Sequence, residues 1–278
     1  MTPVAVAGLG VIGGSLAKAL TGAGVNVRAF SPSRSERERA RGDGIVVVDT
    51  LDGALVRGAS AVIIAVPLDR IASVARELRA HLPSDGIMMH TGSLQGFAAL
   101  GIAPAGENGL IGTHPMAGNE GSGYESARAD LFAGSTISVD TVATAAQRVQ
   151  IEELWTSVGA SRFEYRDRDE HDHLMSWVSH LPQLASSAMA LTLARAGIPA
   201  TDGGSGLRDV TRLASSSLLM WRPLLDAAPV GTVQAIAALE AALADMRAAL
   251  DDGDQELLSE MWTAARAWRT AKEMPGAS

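Results

Sequence analysis

Gly8-Leu9-Gly10-Val11-Ile12-Gly13-Gly14 is the stretch that decides the fold. A short apolar run, Pro3-Val4-Ala5-Val6-Ala7, precedes it, and a good helix former, Ser15-Leu16-Ala17-Lys18-Ala19-Leu20, follows. Strand, glycine turn and helix in that order give a GxGxxG spacing its meaning. The glycines permit a tight turn and close approach of a pyrophosphate, whose charge the helix N-terminus stabilises. Gly8, Leu9, Gly10, Val11, Ile12 and Gly13 are therefore the expected contacts of a dinucleotide.

Outward from this turn the first half alternates strands and helices. Val25-Asn26-Val27-Arg28-Ala29-Phe30 is the expected second strand. Chains that prefer NAD carry Asp or Glu at its end, against the ribose 2′-hydroxyl. Here Ser31 and Ser33 stand there, with Arg34, Arg37 and Arg39 following. Hydroxyl and guanidinium groups suit a 2′-phosphate, which favours NADP over NAD. The competing reading is a solvated helix, because Glu36 and Glu38 alternate with the arginines.

Ile45–Val48 and Ala61–Val66 are unbroken apolar runs, as buried parallel strands tend to be. Val66 and Pro67, at the end of the second run, join the expected cofactor contacts, and Ile71–Leu82 supplies a crossover helix. Gly86-Ile87-Met88-Met89 is another strand, leading into His90-Thr91-Gly92-Ser93. Thr136–Val139, a helix over Thr144–Ser157, and Arg162–Tyr165 complete the sheet. Ligands of an open α/β sheet bind at the C-terminal ends of its strands, and both Ser93 and His114 fall at such ends. His114 lies in Gly112-Thr113-His114-Pro115-Met116-Ala117-Gly118, between apolar residues and a glycine-rich turn, where an imidazole is poised to take a proton.

The second half reads as helices. His171–Ala196 is expected to be one long helix kinked at Pro182, which would aim Ser179-His180-Leu181-Pro182-Gln183 at a cleft; the simpler alternative is a helix corner with a buried His180. Gly203–Arg212 forms a glycine-rich loop entering a helix. Ile236, Leu239, Leu243, Met246 and Leu250 make an apolar seam, read with Trp262 and Trp268 as core packing or subunit contact. His81, His171 and His173 read as surface residues, the last two pointing to different faces of a helix. The fold class is thus α/β: a Rossmann-type dinucleotide-binding domain over residues 1–166, then an all-α domain over 167–278.

Bulk composition narrows the chemistry. The 278 residues are 47% hydrophobic and 19% charged, with a formal net charge of −8. That balance disfavours nucleic acid or an anionic membrane as the main partner. With no cysteine, disulfides and thiolate sites are excluded, and the six histidines lack the spacing of a zinc-binding helix, so no metal is expected. No leader segment or membrane-length apolar run is evident, and a cytoplasmic location is the expectation.

The motifs in combination resemble the prephenate/arogenate dehydrogenase family. Gly8–Ser15 is similar to its cofactor turn and Ser93 to its active-site serine. His114-Pro115-Met116-Ala117-Gly118 with Glu120 and Gly123 resembles its histidine motif. Ser179-His180-Leu181-Pro182 resembles its helical signature, and Gly206–Arg212, with Trp221 downstream, its arginine motif. The resemblance implies oxidative decarboxylation of a cyclohexadienol on the route to tyrosine. It makes His114 the acceptor of the ring hydroxyl's proton, Ser93 a hydrogen-bonding partner of that hydroxyl, and Arg212 the anchor of a substrate carboxylate. Ser179, His180, Gln183 and Glu120 join the expected substrate pocket, and the helical domain is expected to form a homodimer.

Three positions depart from the family pattern: His90 where Asp is common, Gln95 where Lys is common, and Gln183 where a second histidine is common. The last keeps arogenate, whose side chain bears an amine, open beside prephenate, together with a 4-amino analogue of prephenate. A hydroxyacid or imine reductase is a second enzyme class, weakened because the helical half has only Lys272. A dinucleotide sensor without chemistry is a third reading, with no reason to keep Ser93, His114 and Arg212.

Overall fold

The glycine turn joins β1 (Val4–Ala7) to α1 (Val11–Gly22) in the computed structural model, which describes residues 3–101, 109–119, 121–227 and 230–271. Gly8 has φ +103°, and a Cβ there would lie 2.3 Å from the Ala65 carbonyl oxygen, so only glycine fits the turn. Beyond it follow β2 (Val27–Phe30), α2 (Arg34–Gly42), β3 (Val46–Val47), α3 (Gly53–Val56), β4 (Ala61–Ile64), α4 (Leu68–Arg79), β5 (Ile87–His90) and α5 (Phe97–Leu100). β6 (Leu110–Pro115), β7 (Thr136–Asp140), α6 (Ala145–Ser157) and β8 (Arg162–Arg166) complete one eight-stranded sheet of order β3-β2-β1-β4-β5-β6-β7-β8. Neighbouring strands run parallel except β6 and β7. The strand order reverses between β1 and β4, where a doubly wound sheet opens a ligand crevice.

The apolar runs are continuous because both faces of the sheet are covered. Val4, Val6, Ile63, Met89 and Ile111 face one core with Leu16, Leu20, Phe132 and Trp155. Ala5, Ala7, Val62, Ile64, Met88 and Leu110 face the other with Leu55, Ile71 and Leu78. Successive residues therefore go to opposite sides, and each needs to be apolar.

The helical half comprises α7 (Arg168–Met175), a π-helical turn (Ser176–His180), α8 (Leu181–Arg195), α9 (Ser205–Thr211), a 3-10 turn (Arg212–Ser215), α10 (Leu218–Asp226), α11 (Val230–Asp252) and α12 (Gln255–Thr270). The helical run expected over 171–196 with a kink at Pro182 extends from Arg168 to Arg195, and its irregularity is a π turn over Ser176–His180, just upstream of Leu181 and Pro182. Pro182 has no N–H for the carbonyl four residues back, and the ladder widens there instead of continuing. α7 is anchored to the sheet by the buried Arg168, which is ion-paired with Asp140 and donates from Nη2 to the Leu110 carbonyl at 2.7 Å. In the apolar seam of α11, Leu243 and Leu250 are 58% and 66% exposed, whereas Ala235 and Ala249 are buried. Within one chain the seam is partly covered, with Ile236, Leu239 and Met246 half-buried and Leu243 and Leu250 open. No single helix among the described residues is long and apolar enough to cross a membrane.

Candidate active site

The end of β6 carries His114, two residues beyond the point at which β5 ends and opposite the middle of the antiparallel β7. β6 pairs with β5 so that Gly112 faces His90, and with β7 so that His114 faces Ser138. Thr113, buried, donates its hydroxyl to the His90 carbonyl at 3.1 Å. The His114 ring is half-buried, and burial, followed by the neighbouring His171 and His90 imidazoles, pushes its pKa down to about 3. It is therefore neutral at physiological pH, the state a proton acceptor requires. Ser93 lies half-buried three residues beyond β5, at the end of the adjacent strand.

His114 is held from behind. Its Nδ1 lies 3.1 Å from His171 Nε2, and His171 Nδ1 lies 2.8 Å from Asp172 Oδ1. Asp172 also accepts from the backbone N–H groups of Gln95 and Gly96, each at 2.8 Å. The expectation that His171 is a surface residue is corrected: it is fully buried, while His81 and His173 are exposed. Arg168, His171, Asp172 and Met175 form the buried face of α7 at positions i, i+3, i+4 and i+7. A helical stripe was thus written in the sequence, but in polar residues, where a search for apolar periodicity does not look.

The departures at positions 90 and 95 have physical consequences. His90 is buried and accepts from the Gly92 N–H at 3.2 Å. Burial, with Arg168 and His171 nearby, pushes its pKa down to about 3, so it packs as a neutral ring. Gln95 is fully buried and donates from Nε2 to the Ser138 carbonyl at 3.3 Å. A lysine in that position would have to bury an ammonium group where Gln95 is fully enclosed, at considerable cost.

At the glycine turn, a Cβ on Gly13 would meet the Gly8 carbonyl oxygen at 2.0 Å, whereas one on Gly10 would meet nothing within 4 Å. α1 has no side-chain cap at Gly10, so no side chain of its own occupies the N–H groups of its first turn. This is a fit for a pyrophosphate. Leu9 points into the core, Val11 and Ile12 are half-buried, and Val66 packs over Gly8 while the exposed Pro67 caps α4. At the end of β2 the Ser31 hydroxyl donates to Glu36, Ser33 caps α2, and Arg34 pairs with Glu38 on the surface.

The helical-domain residues form a second group. His180 is buried, with Nδ1 2.8 Å from Thr232 Oγ1 and its ring edge-on to Trp221 at 5.9 Å; burial holds its pKa below the ordinary value. Ser179 is half-buried in the π turn. Gln183, also buried, donates from Nε2 to the Leu213 carbonyl at 2.8 Å, beside the exposed Arg212. Glu120 lies outside the described residues. Among the described residues no group of three or more His, Asp or Glu side chains could hold a metal ion.

An open cradle at a β–α turn, a neutral histidine at a nearby strand end and an attached helical domain define a dinucleotide-dependent oxidoreductase of two-domain type. The nucleotide-binding domain of prephenate dehydrogenase, as a family, matches residues 16–164, and its dimerization domain matches residues 167–264. The chain belongs to the prephenate dehydrogenase family. It is 30% identical over 237 residues to a cyclohexadienyl dehydrogenase of Zymomonas mobilis, covering 80% of this chain and 79% of the relative. It is 25% identical to a prephenate dehydrogenase of Lactococcus lactis, covering 99% of this chain and 78% of the relative. Among solved structures, prephenate dehydrogenase from A. aeolicus in complex with hydroxyphenyl propionate and NAD+ shares the fold with a TM-score of 0.83 at 24% identity, covering 98% of both chains. Synechocystis arogenate dehydrogenase shares it with a TM-score of 0.78 at 22% identity, covering 97% of this chain and 99% of that one.

Proposed function

We propose that the chain oxidatively decarboxylates prephenate to 4-hydroxyphenylpyruvate in tyrosine biosynthesis, in the cytoplasm, with residues 1–166 binding the dinucleotide and 167–278 the substrate and a second copy. The observation that carries this reading is the neutral imidazole of His114, half-buried at a strand end of the dinucleotide-binding sheet and fixed through Nδ1. NAD(P), when bound at the glycine turn, supplies the hydride acceptor for the ring carbon that bears the hydroxyl. His114 takes the hydroxyl proton at Nε2, Ser93 hydrogen-bonds the same oxygen, and Arg212 holds a substrate carboxylate. Loss of the ring carboxylate as carbon dioxide sends its electron pair into the ring, and the phenolate so formed takes its proton back from His114, so atoms and charge balance.

A second reading, arogenate as substrate, is favoured by Gln183. Its uncharged amide is engaged with the Leu213 carbonyl and puts no cation beside the substrate's side chain. For the cofactor, the pair of Arg34 with Glu38 is an exposed, solvent-screened one of the exchangeable kind, which leaves Arg34 available to a 2′-phosphate and supports NADP. The carboxylate of Glu36 at the Ser31 hydroxyl is the observation that supports NAD. The homodimer is supported by the exposed seam of α11 and by Trp262 and Trp268, which are 73% and 80% exposed on α12.

Initial rates with prephenate and arogenate, each with NAD and NADP, test the proposal. Turnover of prephenate that collapses in His114→Asn, with dinucleotide affinity retained, is the expected result. Inactivity in all four combinations would sink it.

A further inference from the structure

We propose that His171 and Asp172 are positioning residues that set the tautomer of His114 from the helical half of the chain. The inference rests on the reading of His114 as proton acceptor. The Asp172 carboxylate accepts from three directions: the Gln95 and Gly96 amides and His171 Nδ1. A carboxylate so placed puts the His171 hydrogen on Nδ1 and leaves Nε2 with a lone pair. That lone pair, 3.1 Å away, accepts from His114 Nδ1–H. The one ring nitrogen of His114 left with a lone pair is then Nε2, the atom that must take the substrate proton.

The same chain of bonds has a second consequence. When His114 gains a proton at Nε2, its Nδ1–H still points at a neutral imidazole backed by a carboxylate. His171 Nε2 thus offers the Nδ1–H of His114 the same acceptor before and after the proton transfer, and the ring is held in one orientation throughout. No bond beyond the proton transfer is made or broken. His90 and Arg168 flank the relay, and neither supplies the acceptor that Asp172 does.

The arrangement joins the halves of the molecule. His114 is on β6 and the loop at Gln95 and Gly96 follows β5, whereas His171 and Asp172 are on α7. The base is thus oriented only when α7 is docked on the sheet.

Nitrogen NMR of the full chain labelled at histidine tests the relay without turnover, with signals assigned through His114→Asn and His171→Gln. At neutral pH both rings are expected as the Nδ1–H tautomer; finding His114 as Nε2–H overturns the proposal. In kinetics, Asp172→Asn and His171→Gln are each expected to lower kcat about 100-fold, with substrate KM and dinucleotide affinity within about twofold, because general-base efficiency is what is lost. His171→Gln leaves the Asp172 bonds to the loop in place, so its loss of rate does not reflect loop loosening. If His114→Asn is inactive but both relay variants keep full kcat, the relay is overturned and the base reading stands. Full turnover by His114→Asn overturns the base reading and the relay with it.

Discussion

Gln183 donates from Nε2 to the backbone carbonyl of Leu213 at 2.8 Å, and so ties α8 to the turn that begins with Arg212. A buried amide at this position acts on Arg212, the proposed substrate anchor, through the backbone beside it. Gln183→Leu leaves the Leu213 carbonyl without that donor. We expect the KM for the carboxylate-bearing substrate to rise about tenfold, equivalent to about 1.4 kcal/mol, with little change in kcat. Steady-state kinetics check it, and an unchanged KM would separate Gln183 from the substrate site.

Glu36 places a carboxylate at the Ser31 hydroxyl where a 2′-phosphate would bring further negative charge. Removing the charge should relieve that repulsion. Glu36→Gln is expected to raise the ratio of kcat/KM with NADP to that with NAD about tenfold, on the scale of one charge-assisted contact. A ratio that does not move would show that the end of β2 does not meet the ribose.

Both His90 and His114 have pKa values held near 3, well under the ordinary 6.5. An unfolded chain takes up these protons as pH falls below about 6.5, whereas the folded chain does so only near 3. Their stabilising contribution is complete above about pH 6.5 and is lost progressively as pH falls towards 3, each histidine with a limiting slope of about 1.4 kcal/mol per pH unit. Denaturant unfolding at pH 7, 6, 5 and 4 measures the slope, and His90→Asn should flatten it. By the same sign, kcat/KM should show no loss near pH 6.5 from protonation of His114. An acid limb near 6.5 that vanishes with the base would contradict the depressed value.

Leu243 and Leu250 project from α11 at the exposed seam. If a second copy covers them, an ionised side chain there would be buried without a partner, at a cost of several kcal/mol. Leu243→Asp is expected to shift sedimentation velocity from dimer to monomer while leaving thermal unfolding of the single chain close to the parent's. A parent that sediments as a monomer would remove the dimer from the proposal.

Much of the fold is legible from residue order alone. Gly8, Gly10 and Gly13 between a strand and a helix, and apolar runs buried on both sides, lead to a doubly wound sheet because periodicity and turn chemistry are local properties. His114 and Ser93 could be placed at strand ends for the same reason. The break at Ser176–His180 was foreshadowed by Pro182, yet its form as a π turn upstream of the proline was set by how the surrounding helices accommodate the missing N–H.

What the sequence by itself determined is the glycine cradle, the apolar runs that bury the sheet, and the histidine at the end of one of its strands. Only the tertiary structure decided the partners of that histidine. His171 and Asp172 are 57 and 58 residues from His114 along the chain, and as two polar neighbours on a short helix they look solvated. Docking α7 through the Arg168–Asp140 pair removes them from water and turns them towards β6. Hydrogen bonds of that range depend on which elements pack together, and no local pattern encodes it.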